Sequence, residues 1–188
     1  MAKVDETTRR FWKKNIVSFF KYYPMRIKNV GTENELARQV IFQFKDGTEY
    51  ENVAQMTALR LKEQYGDKAS EIAFTCIPAS TATKNEKRYK QFSQRVCELC
   101  GAQNAYEHIH VIGERLETHK HRRKGANEIE KEQVIEFDSD WFKGKMVLCF
   151  DDILTSGKNF AAFGSKLEEF GANVIAGFFL GRTTYKLQ

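Results

Sequence analysis

The 188-residue sequence lacks any apolar run of 18 residues, and it lacks a charged-then-apolar leader at its start. The first absence argues against a membrane-spanning helix, and the second argues against a secretory signal. Internal repeats and low-complexity stretches are also missing. With 41% hydrophobic and 29% charged residues, the composition is typical of a globular chain that forms one domain around a substantial core.

Cysteine is scarce, and among the four cysteines only Cys97 and Cys100 have the spacing of metal ligands. No second pair of this kind and no nearby histidine pair completes a four-ligand zinc site. Cys76 and Cys149 lie within apolar segments typical of strands, where a free thiol behaves as a small hydrophobic side chain. We therefore favour packing over metal binding at Cys97 and Cys100, and we expect a reduced, cytoplasmic protein.

Apolar segments alternate along the chain between the spacing of strands and the spacing of helices. Trp12, Ile16 and Phe19 share one face of the first predicted helix, Asn52 is the expected N-cap of the second, and Gly101 is the expected C-cap of the third. We predict helices at residues 6–23, 52–65, 85–100 and 159–170, and strands at residues 39–44, 71–77, 108–112, 146–150 and 173–180.

Strands that alternate with helices form right-handed βαβ units. The sequence therefore predicts an α/β protein with one parallel sheet and helices on both faces. We assign residues 1–35 to an N-terminal helical extension and residues 36–188 to the α/β domain. Since ligands of such sheets bind at the carboxyl ends of the strands, residues 78–81, 151–159 and 180–184 are expected to meet at one crevice.

The most informative stretch is residues 145–159, KMVLCFDDILTSGKN. Its apolar residues 146–150 are too few for a helix and typical of a buried strand. Asp151 and Asp152 follow, and a small polar turn leads into a helix. The turn's N–H groups and the helix dipole can bind a phosphate, and the acids can bind hydroxyl groups or a hard cation. A helix cap is the less favoured alternative, because it needs only one acid.

This stretch resembles the phosphoribosyl-pyrophosphate signature of type I phosphoribosyltransferases. In that family an apolar strand leads into two acids, two apolar residues and a Thr-Thr-Gly-Lys-Thr-like loop, and strand, acids, loop and helix appear here in the same order. The resemblance implies the single-domain parallel-sheet fold of the family. It also implies an enzyme of nucleotide metabolism that binds phosphoribosyl pyrophosphate with Mg²⁺ and transfers the phosphoribosyl group to a nitrogenous acceptor, releasing pyrophosphate.

The resemblance also implies roles for individual residues. Asp151 and Asp152 would be the catalytic residues, contacting the ribose hydroxyls directly or through Mg²⁺, which they would then bind. For Ser80 and Thr81, a helix cap remains the alternative to phosphate binding. The phosphate-binding residues implied are Thr155, Ser156, Gly157, Lys158 and Asn159 for the 5′-phosphate, and Ala79, Ser80, Thr81 and Arg88 for the pyrophosphate, with Lys84, Lys87 and the basic run 119–124 as further partners of the leaving group.

Within the family, the layout is most similar to the ComF-like branch associated with competence. The Pro78 loop, followed by a basic run with Arg88-Tyr89 and Gln91, resembles that branch's Arg-Gly-Phe-Asn-Gln stretch. The basic loop ending at Asn127 is similar to its Arg-x-x-Asn segment, and Gly181-Arg182-Thr183 is similar to its Ala-Arg-Thr. The branch's four-cysteine zinc module is absent, and Asn159 replaces the usual last threonine of the loop. Thr155 stands where purine-salvage members have an acid, which argues against hypoxanthine–guanine salvage.

Residues 114–132 are highly charged and almost without apolar side chains. They are too polar for a core and too long for an ordinary connection, which predicts a mobile loop or a functional arm. For the basic run 119–124, an active-site lid and a solvated loop are equally favoured. A nucleic-acid patch is less favoured, because aromatic stacking partners are missing around it.

The net charge of +5 suits an anionic small molecule and a nucleic acid equally. The alternative function is therefore a non-catalytic regulator, or a protein that binds single-stranded nucleic acid, on the same fold. We expect no membrane partner. A homodimer, common in the family, stays open.

Overall fold

The computed structural model describes residues 5–119 and 128–186, with the side chains of residues 113–133 excepted. The strands are β1 Asn15–Tyr22, β2 Ile72–Cys76, β3 Gln103–Asn104, β4 Ile109–His119, β5 Glu128–Phe137, β6 Met146–Leu154 and β7 Asn173–Thr183. The helices are α1 Glu6–Trp12, α2 Thr32–Lys45, α3 Tyr50–Tyr65, α4 Ala82–Asn85, α5 Gln91–Cys100, α6 Ser139–Phe142 and α7 Lys158–Glu169. A π-helical turn, Glu86–Lys90, joins α4 to α5, and short 3₁₀ turns span Gly66–Glu71 and Tyr106–His108.

Five strands form one parallel sheet in the order β1–β7–β6–β2–β3. All five residues of β2 are buried, as are residues 147–150 of β6, which is the pattern expected when helices cover both faces. The predicted α/β architecture with a parallel sheet is therefore confirmed. The predicted strands at 71–77, 146–150 and 173–180 correspond to β2, β6 and β7.

Two hydrophobic cores lie on opposite faces of the sheet. On one face, α2, α3 and α5 pack on the sheet, and Phe44, Phe92 and Phe150 meet with ring centroids 4.6–5.8 Å apart. On the other face, α1 and α7 bring Phe11 and Phe160 together at 5.1 Å. Aromatic contacts of this kind stabilise beyond the area they bury.

The two cysteines with ligand spacing lie in the first of these cores. Cys97 and Cys100 are buried on α5, and both are free thiols. Burial raises the pKa of each thiol, so both stay protonated near neutral pH. They act as packing residues, as the sequence predicted. The helix that carries them ends at Gly101, which has the left-handed conformation of the expected C-cap.

The predicted helix at residues 6–23 is wrong beyond its second turn. Helix α1 ends at Trp12, and residues 15–22 form β1, an edge strand parallel to β7. The segment is therefore part of the sheet and not of an N-terminal helical extension. Ile16, Val17 and Phe19 are β-branched or aromatic residues that favour a strand, and pairing with β7 outweighs the helical spacing of the apolar residues.

The predicted strand at residues 39–44 is also wrong, because these residues lie in the second half of α2. Ala37, Ile41 and Phe44 recur at helical spacing and are buried on one face, and acidic residues occupy the first turn. A short apolar run cannot distinguish the two structures by itself. Helix α3 begins two residues before Asn52, whose side chain bonds Glu49, so Asn52 is not the predicted N-cap.

Residues 114–132 were predicted as a loop or arm, and much of this segment belongs to an antiparallel hairpin. Strand β4 pairs with β5 from Ile109↔Phe137 to His119↔Glu128. Cross-strand backbone hydrogen bonds explain why so polar a segment is a ribbon and not a loop. The remainder of the basic run, residues 120–124, and Asn127 lie outside the described residues, so the predicted lid is not described.

None of the helices in the described part of the chain combines the length and the apolar character needed to cross a bilayer.

Candidate functional site

The predicted phosphate loop lies between β6 and α7. Strand β6 continues through both acids to Leu154, the turn follows, and α7 begins at Lys158. Asp151 and the whole of the predicted loop line one cavity of about 90 Å³, together with Ile153, Leu154, Phe160 and Phe179. The structure therefore brings together one of the two predicted acids and all five predicted phosphate-loop residues.

The start of α7 is suited to an anion. The helix is 12 residues long, and its first N–H group, that of Lys158, donates to Ser156 Oγ at 3.4 Å. The backbone N–H groups of a first helical turn point outward along the axis and are at the positive end of the helix dipole. Exposed Lys158 adds a positive charge at the first helical position. A phosphate is the anion that this arrangement typically binds.

Asp151 lies at the edge of the cavity and is half-buried. Its Oδ1 accepts hydrogen bonds from the Tyr89 hydroxyl at 3.1 Å and from the Asp152 backbone N–H at 2.8 Å. Burial, and then repulsion by the neighbouring Asp152, raises the pKa of Asp151 to about 7. Burial also raises the pKa of the Tyr89 hydroxyl, which therefore stays protonated and donates. Asp151 is thus a carboxyl group that can hold a proton near neutral pH.

Asp152 is buried and faces two cations. Arg88 Nη1 lies 2.5 Å from its Oδ2, and Lys45 Nζ lies 3.7 Å from its Oδ1. Arg88 Nε also donates to the Lys45 carbonyl oxygen at 3.4 Å. The structure therefore places Arg88, predicted to bind pyrophosphate, on the second predicted acid, and it adds Lys45, which the sequence pattern did not single out.

The two acids do not fit a Mg²⁺ ion held by the protein alone. Mg²⁺ requires free oxygen ligands at about 2.0–2.1 Å in an octahedron. Both oxygens of Asp152 face cationic side chains, and Oδ1 of Asp151 already accepts two hydrogen bonds. Among the side chains that the structure describes, those of residues 5–112 and 134–186, no three from His, Cys, Asp or Glu group as metal ligands.

The predicted pyrophosphate loop follows β2, next to β6 in the sheet. Thr81 Oγ1 accepts a hydrogen bond from the Lys84 N–H at 3.2 Å and is the N-cap of α4, so the capping alternative holds for Thr81. The Ala79 N–H donates to Asn85 Oδ1 at 3.0 Å, and Ser80 is exposed. Of the predicted pyrophosphate residues, only Ser80 therefore presents a side-chain hydroxyl that no described hydrogen bond uses.

The three segments expected at the crevice do meet. Thr155 and Thr183 share a hydroxyl hydrogen bond of 2.8 Å, which joins the phosphate loop to the end of β7. Pro78 and Asn159 border a second, wider cavity of about 640 Å³, which joins the pyrophosphate loop to the start of α7. Its other walls are Ile77, which follows β2, apolar side chains of β5 and α7, and Lys166.

Trp12 is a site residue that sequence reasoning missed. Its Nε1–H donates to the Ser156 carbonyl oxygen at 3.1 Å, and the Arg182 guanidinium lies over its ring at 5.1 Å. Helix α1 thus supports the phosphate loop from outside, while Thr183 supports it from β7. The sequence placed Trp12 on the apolar face of a long helix, and no local pattern relates it to a loop so distant in the chain.

No protein-family model matches this chain, and no curated protein matches it significantly.

Proposed function

We propose that this chain binds phosphoribosyl pyrophosphate at the carboxyl ends of β6 and β7 and transfers its phosphoribosyl group to a nitrogenous acceptor. The observation that carries the proposal is that Asp151 and residues 155–159 line one cavity at the N-terminus of α7. A phosphate at the helix and a hydroxyl group at the carboxyl group are the two contacts that a ribose 5-phosphate requires. The resemblance of residues 145–159 to the type I phosphoribosyltransferase signature supports the same ligand.

In this proposal the backbone of residues 155–159 binds the 5′-phosphate, and the hydroxyls of Thr155 and Ser156 add donors. Asp151 accepts hydrogen bonds from the ribose hydroxyls. Mg²⁺ enters with the ligand, whose pyrophosphate oxygens coordinate it, because Mg²⁺ needs few protein carboxylates when substrate phosphates are present.

In the proposed reaction, the bond between the anomeric carbon and the pyrophosphate oxygen breaks, and a bond to the acceptor nitrogen forms. The positive charge that develops on the ribose makes stabilisation of the leaving pyrophosphate more important than a strong base. Ser80 and the exposed Lys84 and Lys87 follow β2, and we assign them to that leaving group. The type I phosphoribosyltransferase fold and its ComF-like branch are part of this proposal.

Thermal unfolding with and without phosphoribosyl pyrophosphate and Mg²⁺ tests the proposal. Ligand at about 100 times its Kd should add about 2.7 kcal/mol to the unfolding free energy. For a chain of this length, each kcal/mol raises Tm by about 2–4 °C. We expect Asp151→Asn to reduce the shift strongly. The matched control is Asp67→Asn, an exposed acid before the amino end of β2, which should keep the full shift.

A regulatory role on the same fold is the second candidate, and the pairing of Asp152 with Arg88 favours it. That ion pair engages one of the two acids that a transferase of this family would use on the ribose. A regulator should bind the ligand without releasing pyrophosphate. A protein that binds single-stranded nucleic acid should instead lose affinity steeply with salt, so binding isotherms at two salt concentrations separate that case.

A further inference from the structure

The two cationic side chains that face Asp152 also affect whether the acid pair can bind a metal ion. We propose that Arg88 and Lys45 form an internal cation at Asp152, so that the acid pair binds no divalent metal ion by itself and the site takes the ribose 5-phosphate part of its ligand without metal. The ligand part of this proposal rests on the proposed function. The metal part stands on the geometry of the acid pair alone.

Most of the carboxylate oxygens are already engaged. Asp152 Oδ2 contacts Arg88 Nη1 at 2.5 Å, and Asp152 Oδ1 faces Lys45 Nζ at 3.7 Å. Asp151 Oδ1 accepts from the Tyr89 hydroxyl and from the Asp152 backbone N–H. The two acids have four carboxylate oxygens that could coordinate a metal ion. Three of them make the contacts just described, and Asp151 Oδ2 makes none of those contacts.

The positive charge is also held tightly. The side chain of Asp152 is 11% exposed and that of Arg88 is 15% exposed, so water weakens their attraction little. A divalent cation at Asp152 would have to displace Arg88 or lie beside it and Lys45. Both alternatives cost free energy, because like charges repel strongly at such a partly buried position.

The fold positions both cationic side chains of the internal cation, Lys45 and Arg88, at Asp152. Lys45 ends α2, and Arg88 lies on the π-helical turn Glu86–Lys90. Both elements lie on the same face of the sheet as Asp152, and Arg88 Nε reaches the Lys45 carbonyl oxygen. The Arg88 guanidinium also lies 5.6 Å from the Tyr89 ring centroid. A π-helical turn is an irregularity that frequently marks functional sites, and here it aligns Arg88 and Tyr89 with the two acids.

The consequence concerns the ligand. The phosphate cavity and the Asp151 carboxyl group lie together, while Asp152 is neutralised from within the chain. A sugar phosphate can therefore bind through the helix N-terminus and through hydroxyl groups with no metal ion between it and the protein. Any metal on a pyrophosphate ligand would be bound by the ligand's own oxygens.

The first experiment measures Mn²⁺ binding to the full-length protein by electron paramagnetic resonance, with no other ligand present. We expect no site at the acid pair of the wild-type protein. The double variant Arg88→Met with Lys45→Met should gain one site, with affinity at least about tenfold above that of the wild type because two like charges are removed. Adding Asp152→Asn should abolish it. The matched control, Arg60→Met with Lys68→Met, removes two exposed cations elsewhere and should gain no site.

Two results would overturn the metal part. One is Mn²⁺ binding to the wild-type protein that Asp152→Asn removes. The other is a folded double variant that gains no site. Circular dichroism establishes folding first, and the single variant Lys45→Met, at a side chain 31% exposed, replaces the double variant if the latter does not fold. A weaker Mn²⁺ site in that single variant, absent from the control, gives the same support.

The second experiment measures ribose 5-phosphate affinity for the wild-type protein by calorimetry in Mg²⁺ and in EDTA. The Kd should be the same within about twofold, which is less than 0.5 kcal/mol. A loss of binding in EDTA would overturn the metal-free site. If ribose 5-phosphate and phosphoribosyl pyrophosphate both fail to bind in either buffer, the proposed function fails, while the Mn²⁺ result still decides the metal part.

Discussion

At the scale of single residues, Gly157 shows why residues 155–159, the proposed phosphate loop, have their shape. Its φ is +78°, in the left-handed region, and a Cβ there would lie 2.7 Å from Trp12 Nε1. Glycine is therefore required twice, once by the backbone conformation and once by the contact with α1. The same close approach lets Trp12 hold the Ser156 carbonyl group.

We expect Gly157→Ala to lower the free energy of unfolding by about 1–3 kcal/mol, because the backbone strain of a left-handed alanine and the clash of its Cβ with Trp12 act together. Urea unfolding measures the loss. The matched control is Gly101→Ala, where the backbone has the same left-handed conformation (φ +80° and ψ 3°, against φ +78° and ψ 0° at Gly157) but nothing lies within 4 Å of the added Cβ, so only the strain applies. An equal loss in the two variants would show that the Trp12 contact does not constrain the loop.

Asp151 should make stability depend on pH. Burial and the charge of Asp152 raise its pKa from 3.8 to about 7, with Tyr89, Arg88 and Cys76 as the other titratable neighbours. Between these values the folded chain binds a proton that the unfolded chain has released, so the free energy of unfolding falls as pH rises from about 4 to 7.

Urea unfolding of the wild-type protein and of Asp151→Asn across pH 4–8 should show this difference. The asparagine variant cannot ionise, so its stability relative to the wild type should rise over the same interval and then level off. A constant difference across the interval would contradict the raised pKa. Asp67→Asn, at an exposed acid, should follow the wild-type curve.

At the scale of elements, the site depends on a helix that the sequence did not assign to it. Helix α1 packs on α7 through Phe11 and Phe160, and its last residue, Trp12, contacts the phosphate loop. The guanidinium of Arg182, on β7, lies over the Trp12 ring at 5.1 Å from its centroid. One short helix thus connects the loop to α7 and to β7.

Trp12→Phe should keep the ring packing and lose one hydrogen bond. We expect the free energy of unfolding to fall by about 0.5–1.5 kcal/mol and the affinity for the phosphate ligand to weaken, because Ser156 is less well fixed. Calorimetric titration with ribose 5-phosphate measures the affinity. The matched control is Trp141→Phe on α6, whose ring stacks on His108 away from the loop and whose loss should leave the affinity unchanged.

Some helices and strands could be predicted from the sequence, and others could not. The strand–turn–helix of residues 146–170 was predicted closely, because its buried strand, glycine turn and helical face are all local patterns. Residues 15–22 were predicted as helix and form a strand, whereas residues 39–44 were predicted as a strand and form part of a helix. Both are short apolar runs, and the partner that each run meets in the fold decides its structure.

At the scale of the whole molecule, β6 joins the two cores. Phe150 faces the α2–α5 side and contacts Phe44, Phe74 and Phe92, while the preceding Cys149 is buried on the α1–α7 side. The acids follow directly on the same strand. Any loss of packing at β6 therefore affects both faces of the sheet and the site together.

We expect Phe150→Ala to cost about 3–5 kcal/mol, because it leaves a cavity among aromatic rings that cannot close. That is a large fraction of a typical total of about 5–15 kcal/mol. Circular dichroism and tryptophan fluorescence should still report one shared unfolding transition at lower urea. Leu59→Ala, at a side chain 61% exposed, is the control and should change stability little. Two separate transitions would contradict a single unit joined by β6.

The sequence by itself determined the parallel α/β architecture and the glycine turn between β6 and α7, because these depend on spacing and turn chemistry within short stretches. Only the tertiary structure decided which charges meet the two acids. Arg88 and Lys45 reach Asp152 from separate elements, and Trp12 reaches the loop from the far end of the chain. Contacts between distant residues are selected by packing of the whole sheet, and no local pattern carries that information.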